Sequence, residues 1–323
     1  MQTPETVATV NSHLPCPHCH ATGTWADAVR PKRRQNSTLH QLRCRQCGNR
    51  VAAKVSGGTQ WREDHREQLE NEYATLCSLS DAFSREEGGG VLQPLGYMES
   101  SGHGILVTQW FAGADLARSA RRLDPGALEQ SFRLAGSWLL RLHGADNKQR
   151  PGLQLGVAQK IKHLSQTYGE VLRTSSRAQE AFKLLATTGG GLEALTTRAV
   201  RIHGDFKPQN MLYDGTRCVG LDIHWGIVGA AVYDLAPFLN HLWLAGAGHR
   251  GTSADERYQL AEDAFLQGYG LVDSMPAMRW AQLYFALCHL GGYRQRGRLG
   301  AAYANWSILP LVRRLERQLR EAA

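Results

Sequence analysis

The sequence predicts an α+β fold in two lobes, a small β-rich first lobe and a larger, mostly helical second one. Three observations carry this expectation. The chain has 323 residues, 42% of them hydrophobic, which is enough for a sizeable core in each lobe. Short apolar runs bounded by turn residues crowd the stretch 24–110, whereas beyond residue 114 the apolar spacing is mainly helical. Two CxxC pairs stand near the start, where a metal can take over part of the work of a core in a small sheet.

Residues 1–12 are polar and read as a frayed end. Cys16-Pro-His-Cys19 and Cys44-Arg-Gln-Cys47 follow, with 24 residues between them. Each pair makes a tight knuckle offering two thiolates, and two knuckles close a tetrahedral zinc site. A zinc-ribbon-like element over about 13–50 is therefore expected, with Cys16, Cys19, Cys44 and Cys47 as ligands; a redox pair is the alternative. Gly48, directly after the second knuckle, suits a turn with positive φ. His18 and His20 are spare donors that four thiolates leave unneeded, and Cys77, Cys218 and Cys288 read as small buried apolar residues.

Thr24 to Arg30 and Leu39 to Arg43 read as strands joined by a basic turn that contains Lys32, Arg33 and Arg34. Val51 to Val55 is another strand and carries Lys54. After Gly57 and Gly58 comes a helical pattern from Arg62 to Leu79, in which Glu72, Leu76 and Leu79 share a face. Gly88 to Gly90 reads as a flexible turn, and Val91 to Met98 and Ile105 to Trp110 as two further strands. Leu134 to His143 is a helix with His143 packed at its end. Residues 151–200 are helical with a break at Gly189 to Gly191. Helices are expected again at 254–268, 278–290 and 308–321, with a basic loop from Tyr293 to Arg298.

The stretch from Ile202 to Asp222 carries the chemistry. Met211 to Tyr213 reads as a strand, Asp214-Gly215 as a turn, and Cys218 to Ile223 as the returning strand. Such a ribbon can gather Asp205, Asn210 and Asp222. Two carboxylates and an amide oxygen are hard ligands that suit magnesium carrying phosphate oxygens. A carboxylate not bound to metal can orient or deprotonate a hydroxyl. The plain alternative is an Asx-rich turn between two ordinary strands.

HGDFKPQN followed by LDIHWG resembles the catalytic loop and metal-binding Asp of the protein-kinase-like fold, and most of all the aminoglycoside phosphotransferase and choline kinase family. The resemblance covers residues 24–240, through Lys54, Glu72, Asp205 with Asn210, Asp222 and Asp234 in order. It implies an N-lobe over 1–107 with its nucleotide-anchoring strand and helix at 51–80, a hinge at 108–113, and a C-lobe over 114–323. Within the C-lobe it implies a catalytic loop at 202–226 and a helical acceptor-binding region at 236–323. It further implies that Lys54, held by Glu72, anchors the nucleotide phosphates, and that backbone near Gln109 and Phe111 meets adenine. Asp205 would orient or deprotonate the acceptor hydroxyl, Asn210 and Asp222 would hold magnesium, and Lys207 would contact the γ-phosphate. His203 and Asp234 would brace the loop. Two departures stand out: no glycine-rich GxGxxG is present, and Gly229 to Ala236 lacks the Asp and Pro that open the family's Gly-Asp-Pro-x-x-Asp-Leu-Ala.

The implied activity is ATP-dependent transfer of phosphate to a hydroxyl of a small molecule, with ATP, Mg2+ and a structural Zn2+. A protein kinase is one alternative, but only 11 residues separate Asp222 from Asp234, too few for a long activation segment. A kinase-like protein without activity that binds nucleic acid or another partner through its zinc ribbon is the other. Residues 1–60 do hold eight Lys and Arg against two acidic residues, although charge alone does not choose a partner. From Ala236 onward ten Arg and no Lys face seven acidic residues, which disfavours a polycationic acceptor such as an aminoglycoside. A sugar or glycan fits better. No apolar run of membrane-spanning length occurs, and a cytoplasmic location is expected.

Overall fold

The computed structural model describes residues 3–34, 36–57, 64–83, 89–146, 148, 150–247, 251–270 and 272–322. The expectations at Gly58, Arg62 and Gly88 lie outside the described residues. The chain forms two compact units, the first being Met1–Gly113 with Val219–Ile223, the second Ala114–Cys218 with His224–Ala323.

The first unit contains α1 (Thr3–His13), β1 (Trp25–Asp27), β2 (Lys32–Arg33), β3 (Ser37–Cys44) and β4 (Arg50–Ser56). It continues with α2 (Asp64–Phe83), β5 (Gly89–Val91), β6 (Pro94–Ser100) and β7 (His103–Gln109). Its sheet runs in the order β1-β3-β4-β7-β6, with β2 paired to β3 and every pairing antiparallel. Strand β4 shows why: Val51, Ala53 and Val55 alternate into a core with Trp25, Leu42, Ile105 and Val107, which turns Lys54 to the opposite face.

Three expectations for this unit need correction. Residues 3–12 are helical, not frayed. Thr6 and Val10, one helical turn apart on α1, are buried, and Asn11 exchanges two hydrogen bonds with the Trp25 backbone at 2.7 and 3.0 Å. Gly89 and Gly90 belong to β5 instead of a flexible turn, and the strand expected from Val91 starts at Pro94. Cys77 is exposed on α2.

The second unit opens with β8 (Ala114–Asp115), α3 (Leu116–Ser119), α4 (Pro125–Gly144), β9 (Leu153–Gln154), α5 (Val157–Arg173) and α6 (Ser176–Leu192). Next come β10 (Thr196–Thr197), β11 (Ala199–Arg201), a 3-10 turn (Pro208–Asn210), β12 (Met211–Tyr213) and β13 (Cys218–Gly220), where the chain passes into the first unit. After it returns come β14 (Val228–Ala230), α7 (Val232–Leu242), a π-helical turn (Trp243–Ala247) and α8 (Gly251–Tyr269). The end is α9 (Met275–Arg294), α10 (Arg298–Tyr303), a second π-helical turn (Ala304–Ile308) and α11 (Leu309–Ala322). Helix α4 starts where Asp124 accepts from the Ala127 N–H at 2.9 Å with Pro125 in its first turn.

Gly189 to Gly191 do not break α6. A Cβ on Gly189 would stand 2.6 Å from Val157 Cγ1, so the glycine serves close packing of α6 against α5. Likewise a Cβ on Gly136 of α4 would overlap the Phe265 carbonyl of α8, and one on Gly268 the Arg133 carbonyl. These glycines let α4 and α8 approach closely. The basic loop expected at 293–298 shrinks to Gln295–Gly297, because α9 keeps Arg294 and α10 begins at Arg298. Cys218 is buried as expected, while Cys288 is half-buried. Among the described residues no helix is long and apolar enough to cross a membrane.

Candidate active site

The first unit supplies a charged cluster around Lys54. The ammonium of Lys54 donates to Glu72 Oε2 at 2.6 Å and to Asp222 Oδ1 at 2.5 Å. Glu72 reaches it from α2, and Asp222 from the returning segment Val219–Ile223. Burial alone would lower the lysine's pKa, but the Glu72 and Asp222 carboxylates override it and push the pKa above the ordinary lysine value. Asp222 stands past the end of β13 with φ of +54°, so it is not on the strand as the sequence reading had it. That left-handed turn is uncommon for a residue with a Cβ and aims the carboxylate at the lysine. Arg34, from the basic turn, reaches Asp222 Oδ2 at 3.9 Å. Gln109 ends β7, its N–H bonded to the Gln93 carbonyl at 2.9 Å, and Phe111 follows just beyond.

The same unit gathers the four cysteines. Their sulfurs all lie within 4.8 Å of one another, with Cys16–Cys47 at 3.6 Å and Cys19–Cys44 at 3.7 Å. A tetrahedron with zinc–sulfur bonds of about 2.3 Å has edges of about 3.8 Å, so the donor set and spacing fit a zinc ion. Both knuckles turn alike: the N–H of His20 bonds the Cys16 carbonyl at 2.8 Å, and that of Gly48 the Cys44 carbonyl at 2.9 Å. His20 and Gly48 take φ of +60° and +79°. Burial opposes ionisation of Cys44, but the Thr24 hydroxyl and the N–H groups of Cys47 and Gln46 bring it down to about 6. His18 and His20 stand outside the group.

The second unit supplies the loop from His203 to Asn210. Asp205 Oδ2 accepts from Lys207 Nζ at 2.6 Å and from Asn210 Nδ2 at 3.1 Å. The Asn210 amide nitrogen also donates to the Asp205 carbonyl at 3.0 Å, so its oxygen is the atom left for a cation. Asp234, at the start of α7, holds the loop from beneath. It accepts from the backbone N–H of His203 at 2.6 Å and of Gly204 at 3.1 Å. His143 of α4 donates to Asp234 through Nε2 at 3.0 Å and accepts from the Tyr269 hydroxyl at 2.9 Å. His143 is thus part of the brace, more than a packed helix end.

Phe206 drops from the loop into an aromatic stack. Its ring lies 4.6 Å from Phe238 and 5.8 Å from Trp138, and Phe238 lies 4.3 Å from Phe265. This buried stack anchors the loop from its side chain, while Asp234 holds its backbone. Sequence reasoning passed over Phe206, whose only signal was an aromatic between two charged residues. Arg34 lies in the basic turn, which by sequence reads either as a phosphate contact or as a solvated hairpin tip.

A family model described as the phosphotransferase enzyme family, APH, matches residues 59–283. That span includes Asp205, Asn210, Asp222 and Asp234, and begins after the four cysteines and Lys54. No curated protein matches the chain. Among solved structures the chain is similar to a choline/ethanolamine kinase family protein from Mesorhizobium loti, at 16% identity and a TM-score of 0.53, covering 100% of this chain and 98% of that one. It is similar to a macrolide 2'-phosphotransferase from Brachybacterium faecium, at 16% identity and a TM-score of 0.53, covering 89% and 91%. An amicoumacin kinase described in complex with AMP-PNP, Ca2+ and Ami is similar at 12% identity and a TM-score of 0.55, covering 97% and 91%. These likenesses establish the kinase-like fold, and the family match establishes the family. The chain belongs to the APH phosphotransferase enzyme family and is a kinase of that group.

Proposed function

We propose that this kinase moves the γ-phosphate of ATP to a hydroxyl of a small, neutral or anionic acceptor such as a sugar or glycan. The observation that carries the reading is Asp205. Its carboxylate is half-exposed, aligned by Lys207 and Asn210, and stands on a loop pinned by Asp234. Phosphoryl transfer asks little covalent chemistry of a protein and depends on in-line positioning and charge neutralisation. In this reading Asp205 orients the acceptor hydroxyl and takes its proton as the bond to phosphorus forms. Lys207 holds Asp205 until the nucleotide binds, then turns to the γ-phosphate. Lys54, kept charged and extended by Glu72, holds the nucleotide phosphates, and Arg34 adds a second cation there. Asn210 and Asp222 supply the oxygens that would hold magnesium, which when bound offsets negative charge on the phosphates. Backbone groups around Gln109 and Phe111 would meet adenine.

We also infer that Cys16, Cys19, Cys44 and Cys47 bind a structural zinc, because the sulfur spacing fits the ion and Cys16, Cys19 and Cys44 sit against the unit's core. Reduced thiols agree with a cytoplasmic setting. The lobes are read as 1–107 and 114–323 around a hinge at 108–113. Residues 236–323 would line the acceptor side, and their lack of net acidity supports a neutral or anionic acceptor over an aminoglycoside. The test is ATP consumption by the full chain with magnesium against pools of sugars, aminoglycosides and protein substrates. Acceptor-dependent turnover is expected with the sugar pool; turnover with protein substrates alone would overturn the small-molecule reading.

A further inference from the structure

Helix α7 carries a third side chain on the face that braces the loop. Asp234, Phe238 and His241 fall at i, i+4 and i+7, and so share one face of that helix. Asp234 bonds the loop backbone, and Phe238 stacks on Phe206 at 4.6 Å. His241 extends the same face by another turn, and α7 packs against the 3-10 turn Pro208–Asn210. The charges of Lys207 and Asp205 both act on the His241 ring.

His289 of α9 packs against His241, with ring centroids 4.9 Å apart at 63°. Neither imidazole has a hydrogen-bond partner among the described residues, and His289 Nδ1 is fully buried in that state. Buried polar nitrogens are normally satisfied, so His289 Nδ1, beside the His241 ring, calls for a ligand or water. Both residues keep part of their surface exposed.

We propose that His241 and His289 form an acceptor-binding wall that reads neighbouring neutral hydroxyls, as on a sugar or other polyol. The proposal rests on the reading of Asp205 as the carboxylate that faces the acceptor. A neutral imidazole offers one donor and one acceptor, and so does a hydroxyl. An ammonium offers donors only and brings charge. The surroundings resist that charge. Burial, then His289 and Lys207, hold His241 down to about 4 against the opposing pull of Asp205, and burial alone holds His289 down to about 4. What keeps a proton off these rings also penalises an amine placed among them.

The experiment uses the full chain with magnesium and ATP and two acceptor pools, neutral mono- and disaccharides against aminoglycosides. ATP consumption at least tenfold faster with the neutral pool is expected. A faster rate with aminoglycosides, or a neutral pool that does not exceed the acceptor-free rate, overturns the proposal. With the best neutral acceptor, His241→Ala and His289→Ala should each raise the acceptor KM at least tenfold and leave the ATP KM within twofold; an unchanged acceptor KM again overturns it. If His289→Ala melts early, His289→Gln keeps a donor and an acceptor and should restore part of the lost affinity, and its failure to do so counts against hydroxyl recognition. Asp205→Ala is run in parallel. Turnover that survives it removes the catalytic reading, whereas Asp205-dependent turnover with an unchanged acceptor KM in both histidine variants removes the histidine wall alone.

Discussion

Asp234 Oδ2 accepts the backbone N–H of His203 at 2.6 Å, and this bond ties the start of α7 to the loop that carries Asp205. The carboxylate is 1% exposed and bonds Gly204 and His143 as well. Replacing it with Ala leaves two backbone N–H groups without a buried acceptor, at a cost of about 3 kcal/mol. Asp234→Ala should therefore lower the melting temperature and reduce kcat by at least a hundredfold although it touches no substrate. Thermal melts and steady-state rates check both, and a variant with wild-type kcat would show that the loop does not need the brace.

Glu72 and Asp222 both bond the Lys54 ammonium, which brings their carboxylates within roughly 5 Å of each other. Lys54→Met should leave two facing negative charges, destabilise the first unit and raise the ATP KM at least tenfold. Adding Glu72→Gln should recover stability and leave ATP binding weak. Independent effects of the two changes on stability would contradict this coupling.

Exposed His20 of the first cysteine knuckle takes the place that Gly48 holds in the second, both with positive φ. His20→Gly should stabilise the first unit by roughly 0.5–1 kcal/mol, because glycine takes that conformation without a Cβ penalty. Chelation or Cys44→Ser should unfold the same unit, since a structural zinc site supplies on the order of 10 kcal/mol. Melting that ignores both chelator and Cys44→Ser would rule out a structural metal.

Acid should destabilise the second unit through His241 and His289. Their folded pKa values lie at about 4, below the ordinary 6.5, so the unfolded chain binds more protons between those limits. Stability is full above pH 6.5 and falls as the pH drops toward 4. The His241→Gln, His289→Gln double variant should flatten that slope; an unchanged slope would place the acid sensitivity elsewhere.

Much of this could be read from the chain. Lys54 and Glu72 were legible through the resemblance to the kinase-like family, and the cysteine cluster because CxxC pairs have few other uses. Asp222 was legible as a residue but not as a conformation, since nothing in Leu221-Asp222-Ile223 announces a left-handed turn. Helix α1 was missed because its packed face mixes Thr6 with Val7 and Val10 and gives only a weak apolar signal. Gly189 was misread because a packing glycine and a helix-breaking one look the same until the neighbour is known. His241 and His289 lie 48 residues apart, and only the packing of α7 on α9 makes them a pair.

The most direct measurement compares Asp205→Ala and Asp205→Asn with the wild type, following acceptor-dependent ATP consumption alongside magnesium-nucleotide affinity and thermal melting. Loss of turnover by at least a thousandfold in both variants is expected, with nucleotide affinity within a few-fold of wild type and melting unchanged. Retained turnover, or loss explained by unfolding, would mean that Asp205 is not the group that prepares the acceptor hydroxyl.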